Sequence, residues 1–189
     1  MESFFSMPKP VNIMGRASSI TNSFINGIIP GVPSSKEEIS EALDILGMDK
    51  SDVRCAYCGD KNTEWDHLRP LVFEKRPTGY ISEIANLVPA CGECNQSKGN
   101  KPWREWIMSS APRSPKSRGV PDLEARIERL GEYEKWRDVQ PLDFEEIVGK
   151  EEWLRHWDNW QRILDEMRTS QAFAAKLRTT IKLWHDSQF

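Results

Sequence analysis

Four cysteines, arranged as Cys55-Ala-Tyr-Cys58 and Cys91-Gly-Glu-Cys94, leave the chain little freedom between residues 55 and 94. Each Cys-x-x-Cys turn presents two thiolates to one ion, and four thiolates close a tetrahedral shell around zinc. Such a shell has no open position for water or substrate. The zinc is therefore expected to be structural, tying the segment before the long insert to the start of the element that follows it. A redox pair or four unrelated thiols is the plainer alternative, and the doubled spacing argues against both. The opening residues, MESFFSMPKPVNIMG, lack the basic and apolar stretches of an export signal, and no apolar run reaches the roughly 18 residues that span a bilayer. A cytoplasmic setting without membrane contact is expected, which again favours metal over disulfides.

Around this staple the pattern predicts four regions. Residues 1–52 form an arm and a short helix. Within them 1–33 are rich in Ser, Gly, Pro and Asn without a period and read as irregular chain or short strands. Residues 35–47 carry a Ser cap, early glutamates and apolar positions at Ile39, Ala42, Leu43 and Leu46, the marks of an amphipathic helix. Residues 53–110 hold extended pieces near 54–56, 64–68 and 86–89, then a helix starting at 92–94 in which Gly99 and Pro102 are breakers. Residues 111–120 are a Pro-, Ser- and Arg-rich basic linker, and 121–189 are helical. There Trp153, Trp157, Trp160, Leu164 and Met167 recur at three- and four-residue steps, which reads as a core stripe before a base-stacking platform.

Three further motifs lie in register with the cysteines. Thr63-Glu64-Trp65-Asp66-His67-Leu68-Arg69-Pro70 sits in the insert, Asn86-Leu87-Val88-Pro89-Ala90 runs into the second pair, and Asn95-Gln96-Ser97-Lys98 runs out of it. In this order they resemble the HNH, or ββα-metal, endonuclease family over about residues 53–106. The resemblance implies an α+β fold, a small zinc-stapled ββα-metal nuclease core with mostly α-helical flanking regions. It also implies that Asp66 and His67 end one strand, that Asn86 opens a second and holds the loop orienting the imidazole, and that Asn95 on the helix completes a catalytic metal site. The helix position is Asn95 rather than His and the position four residues later is Gly99, so no second helix histidine is a ligand. Mg²⁺ is expected over a transition metal, with Mn²⁺ as the alternative ion.

These residue types suit phosphodiester hydrolysis. A carboxylate oxygen of Asp66 and an amide oxygen of Asn95 are donors for one hard Mg²⁺, leaving room for waters and phosphate. His67, with a near-neutral pKa, is the general base. Lys98, three residues beyond Asn95 on the same helical face, is assigned to a phosphate, and Arg69 is a weaker candidate for the same contact. Taken singly each has a plainer reading: Asp66-His67 as a surface pair, Asn86 as a turn cap, Lys98 as a solvated charge. Their conjunction in order carries the assignment. His156 and His185 read as ordinary helix residues.

The formal charge of −3 argues at first against an acidic polymer as substrate. Divided along the chain, residues 53–119 hold 11 basic and 7 acidic residues, net +4, and 120–166 hold 7 and 14, net −7. Lys98, Lys101, Arg104, Arg113, Lys116 and Arg118 suit tracking of a phosphate backbone. Double-stranded DNA is the expected substrate, cut by a sequence- or structure-selective nuclease of the restriction or phage-defence kind. Two strands and one site per chain imply a homodimer, and the acidic helical C-terminal region is available to a protein partner. Two alternatives stay open: a non-catalytic zinc module that binds nucleic acid, and a nuclease subunit of a larger defence complex that needs its partner.

Overall fold

The computed structural model describes residues 8–61 and 64–188; residues 1–7 of the expected arm, 62–63 and 189 lie outside them. In chain order the elements are α1 Ala17–Asn26, α2 Lys36–Ile45, β1 Glu64–His67, β2 Val72–Phe73, β3 Arg76–Pro77, β4 Leu87–Ala90, α3 Gly92–Lys98, α4 Trp103–Ile107, α5 Leu123–Trp136, α6 Phe144–Val148 and α7 Lys150–Asp186. Two small antiparallel sheets among many helices make this an α+β chain, as the sequence implies. It divides into two compact units, residues 25–144 and residues 1–24 together with 145–189.

In the first unit, α2 opens with a full capping box: the Ser35 hydroxyl accepts from the Glu38 N–H while the Glu38 carboxylate accepts from the Ser35 N–H. β1 pairs antiparallel with β4, with Asp66 opposite Val88 and His67 opposite Leu87. The first cysteine pair forms a turn rather than a strand, closed by the Gly59 N–H on the Cys55 carbonyl at 2.8 Å. Gly59 has φ of 81°, which glycine adopts without strain. This turn is sewn to the sheet by the Ala56 N–H, which donates to the Pro89 carbonyl at 2.7 Å.

The helical run after Cys91 is two short helices. Gly99, at φ 50°, ends α3, and Pro102 is the N-cap of α4, where its missing N–H costs nothing. Ala42 of α2, its C-cap Leu46, Tyr57, Leu68, Val88, Ala90, Trp103, Trp106, Ile107, Leu130 and Tyr133 are buried together as one core. The Tyr133 hydroxyl donates to the Leu87 carbonyl at 2.8 Å and also contacts that of Ile84, so α5 is fastened to the entry of β4. Residues 111–120 form successive turns in which Ser114 and Pro115 are buried.

Residues 13–26, of which 13–24 belong to the second unit, are helical where the composition of 1–33 reads as irregular chain or short strands. The Asn12 side chain accepts from the Met14 N–H, caps a 3-10 turn at Ile13–Arg16, and the chain runs on into α1. Ser, Thr and Asn give α1 poor intrinsic propensity, and tertiary contact with α7 overrides it. The Trp160 indole donates to the Thr21 hydroxyl at 3.1 Å, and the His156 imidazole lies 3.1 Å from the Phe24 carbonyl. Trp157 and Leu164 are buried here, with Trp157 edge-on to Trp153 and Trp160 at centroid distances of 5.4 and 6.0 Å. The Trp stripe is thus a packing face. Farther along α7, Phe173, Leu177, Ile181 and Trp184 are exposed. Among the described residues no helix is long and apolar enough to cross a membrane.

Candidate active site and cysteine cluster

The Sγ atoms of Cys55, Cys58, Cys91 and Cys94 all lie within 4.8 Å of one another, and Cys58 and Cys91 are 3.6 Å apart. Thiolates around a tetrahedral zinc, at Zn–S of about 2.3 Å, sit roughly 3.8 Å from each other, so the cluster matches zinc in donor chemistry and in size. The packed thiols share their protons unevenly. Hydrogen bonds from Cys55 and Cys94 pull the Cys58 thiol far below its ordinary value, while the bond to Cys58 pushes Cys55 up to about 12. A metal entering such a cluster displaces the remaining protons. Arg118 places a guanidinium nitrogen 3.6 Å from Cys94 Sγ and 3.6 Å from the Glu93 carboxylate, where it would offset part of the negative charge of a metal-bound set of thiolates.

The second cysteine pair bridges β4 and α3, with Cys91 as the N-cap of α3. α3 then lies against β1, and two side-chain rungs join them. Asn95 donates through Nδ2 to the Glu64 carboxylate at 2.9 Å, and Lys98 reaches Asp66 with Nζ 3.1 Å from Oδ2 and 3.3 Å from Oδ1. Glu64 and Asp66 share a strand face by the period of two, and Asn95 and Lys98 share a helix face by the step of three. The rungs therefore bring Asn95 and Asp66 to one seam. With its amide nitrogen on Glu64, the other atom of the Asn95 amide, Oδ1, is an acceptor. Carboxylate and amide oxygens are the donor chemistry of a hard divalent ion.

Lys98, expected from the sequence to meet a phosphate, is fully buried. Besides Asp66 its ammonium donates to the His67 carbonyl at 2.7 Å. Burial lowers its pKa and the Asp66 charge opposes that shift. Asp66, 5% exposed, also accepts at 2.6 Å from the Tyr57 hydroxyl. Burial, and then the Asp66 charge, keep that phenol protonated well beyond its ordinary range.

His67 alternates to the other side of β1 from Asp66, and its Nε2 lies 2.8 Å from the Ser82 hydroxyl. Ser82 is itself held by its N–H on the Pro30 carbonyl at 3.1 Å and by its carbonyl under the Val32 N–H at 2.8 Å. Burial lowers the His67 pKa, Asp66 raises it and Lys98 lowers it again, with a net downward shift. Asn86 is fully buried and clamps the turn just past His67. Its Oδ1 accepts from the Arg69 N–H at 2.8 Å, and its Nδ2 donates to the Arg69 and Ile81 carbonyls at 3.2 Å each.

Of the other cations expected to meet phosphate, four have protein partners: Arg118 lies against Cys94 and Glu93 as above, and three more are held as follows. Arg69 donates to the Glu134 carbonyl at 2.7 Å, Arg104 pairs with the Glu134 carboxylate at 2.8 Å, and Lys101 donates to the Ser97 carbonyl at 2.9 Å. Arg113 and Lys116 remain exposed on the 111–120 turns. Sequence reasoning gave no role to Glu64, Tyr57 or Ser82, and it assigned Arg118 to a phosphate backbone where the structure sets it against Cys94 and Glu93. The period of two marks Glu64 as a face-mate of Asp66, a signal that was there to use. Ser82 is brought to His67 by pairing with residues 30–32, which no local pattern encodes.

Residues 55–101 match the family model described as HNH endonuclease. The chain is also similar to the CRISPR-associated endonuclease Cas9 of Corynebacterium diphtheriae, 31% identical over 91 residues that cover 40% of this chain and 8% of the length of that protein. No solved structure matches the chain.

Proposed function

We propose that this chain, which carries an HNH endonuclease domain over residues 55–101, is a divalent-metal-dependent DNA endonuclease, selective for sequence or structure and acting in restriction or phage defence. The observation that carries the proposal is the seam itself. Asp66 and His67 end β1, Asn86 clamps the turn that follows them, and Asn95 faces β1 from α3. Asp66 and Asn95 would hold the Mg²⁺ or Mn²⁺ ion, which would supply positive charge to the scissile phosphate and the leaving 3′ oxygen.

The protein's own groups do the rest. With Nε2–H of His67 taken as the donor in its 2.8 Å contact with the Ser82 hydroxyl, Nδ1 is left to take a proton from the attacking water. Asn86 keeps the turn beyond His67 from drifting, which preserves the direction of the imidazole. Lys98 acts through Asp66 and the His67 carbonyl, anchoring both from beneath. Zinc held by the four cysteines would tie the 55–58 turn to the junction of β4 and α3, and so would fix the sheet and the helix that carry these groups. Arg113 and Lys116 contact the DNA backbone. Two copies act together on the two strands, and the exposed apolar end of α7 offers a surface for that pairing.

Incubating the purified protein with supercoiled plasmid and Mg²⁺, and sequencing the ends, tests this reading. Discrete double-strand cuts with 5′-phosphate ends, made by a species of two-chain mass in light scattering on DNA, are expected. Intact plasmid with either Mg²⁺ or Mn²⁺ would refute the nuclease reading, and a one-chain mass the pairing.

The shifted His67 pKa sets a pH profile. Neutral imidazole is the working form, and burial holds its pKa below the ordinary value of about 6.5, so the base is already free at neutral pH. Single-turnover cleavage is expected to rise with pH through one ionisation centred below 6.5 and then level off. A midpoint above that value would contradict the assignment of His67 as base.

A further inference from the structure

Tyr57 stands between the two cysteines of the first pair and is fully buried. Its ring lies edge-on to Trp106 with centroids 5.1 Å apart, and the cysteines on either side of it belong to the four-thiol cluster. A tyrosine fixed at both its backbone and its ring has little choice of hydroxyl direction. It donates to Oδ2 of Asp66 at 2.6 Å. The Lys98 ammonium also approaches Oδ2, at 3.1 Å, and makes a longer contact of 3.3 Å to Oδ1. Oδ2 is thus held by two donors and Oδ1 by one long one.

We propose that Tyr57 is a positioning residue for Asp66, whose phenol pins one carboxylate oxygen so that the other is presented to the divalent ion. This rests on the reading of Asp66 as the carboxylate ligand. An ammonium alone is indifferent between the two oxygens and holds both if the carboxylate swings flat against it. The phenol breaks that symmetry, because it lies at one side and is carried by the turn of the first cysteine pair rather than by α3. A hydrogen bond to a carboxylate is stronger than one between neutral groups, and burial strengthens it further. The structural metal centre and the catalytic carboxylate are thereby linked through one side chain.

The test compares the full chain with Tyr57→Phe, which keeps the ring and its packing on Trp106. Mn²⁺ binding to the zinc-loaded protein is measured by calorimetry without DNA, alongside zinc content, melting temperature and single-turnover cleavage. Without the phenol the carboxylate turns onto Lys98. The Mn²⁺ dissociation constant is expected to rise about tenfold, as loss of one hydrogen bond to a charged group implies, with zinc content unchanged. The cleavage rate at saturating metal should fall while the KM for DNA stays constant. Unchanged Mn²⁺ affinity and cleavage in a less stable variant would mean that Tyr57 only packs, and would overturn the proposal.

Should the Phe variant fail to fold, 3-fluorotyrosine placed at position 57 keeps the hydroxyl and reports through its ¹⁹F resonance. That resonance is expected to shift as Mg²⁺ binds, and to stay still in the same protein carrying Asp66→Asn. No shift at metal saturation would overturn the proposal equally. The two readings fail separately. A wild type that cleaves no DNA, yet loses Mn²⁺ affinity on Tyr57→Phe, refutes the nuclease and leaves the positioning role standing. A wild type that cleaves, with a Phe variant identical to it, does the reverse.

Discussion

His67→Ala lowers the cleavage rate by about 10²–10⁴-fold, the range that positioned general bases supply, while the fold stays intact. The reason for expecting so clean a separation lies in what each part of the residue does. The His67 carbonyl, not its ring, receives the Lys98 ammonium, so truncating the side chain leaves the Asp66–Lys98–Tyr57 network in place. The backbone pairing of His67 with Leu87 is likewise untouched. Ser82 loses its partner but keeps its two main-chain bonds to Pro30 and Val32. Zinc content, melting temperature and DNA affinity are therefore expected to match the wild type, and only the single-turnover rate of plasmid cleavage falls. A variant that still cuts at near wild-type rate would remove His67 from the mechanism. One that stops cutting but also melts early would move the residue from chemistry to structure.

How far the site could be read in advance follows from which distances the chain itself encodes. The cysteine cluster depends on two tight turns, and a turn is a local property, so Cys55, Cys58, Cys91 and Cys94 announce themselves by spacing. The capping box at Ser35 is local in the same sense, as are the breaks at Gly99 and Pro102. Lys98 is different. A lysine one helical turn from Asn95 looks solvated, and its burial is decided by Asp66, 32 residues away in sequence. Nothing near Lys98 reveals that α3 will lie on β1 with that face inward. The β2–β3 hairpin escaped for another reason. Its two-residue turn, Glu74-Lys75, takes φ of 46° and 62° at residues that carry none of the Asn-Gly signature of such turns. In α1 the helix exists because α7 gives Thr21 and Phe24 partners, against the preference of its own residues. Charge misled in a third way. The segment total of +4 counts Lys98, Arg104 and Arg118 as available, although each meets a protein anion or thiolate.

Cys91→Ser is expected to abolish cleavage by the opposite route, through the fold. Cys91 is buried, caps α3 and contributes one of four thiolates, so its loss leaves a three-sulfur site with a poor oxygen donor at the fourth corner. Zinc binding at four-cysteine sites is worth on the order of 10 kcal/mol of folding free energy, against a total stability of about 5–15 kcal/mol for a domain. The metal term is of the same size as the whole margin. Losing most of it should release the 55–58 turn, with Tyr57, from the β4–α3 junction and loosen the seam that holds Asp66 against Lys98, leaving a buried pair with no geometry to satisfy it. Zinc measured by mass spectrometry should fall well below one per chain, and the melting transition of the core should move down or lose cooperativity. Retention of full zinc with an unchanged melt would show that the four thiols do not form the site. Set beside His67→Ala, the comparison is decisive: both variants stop cutting DNA, one with its zinc and its melt intact and the other without either, because the same short stretch of chain supplies the base from β1 and the staple from the turn that opens α3.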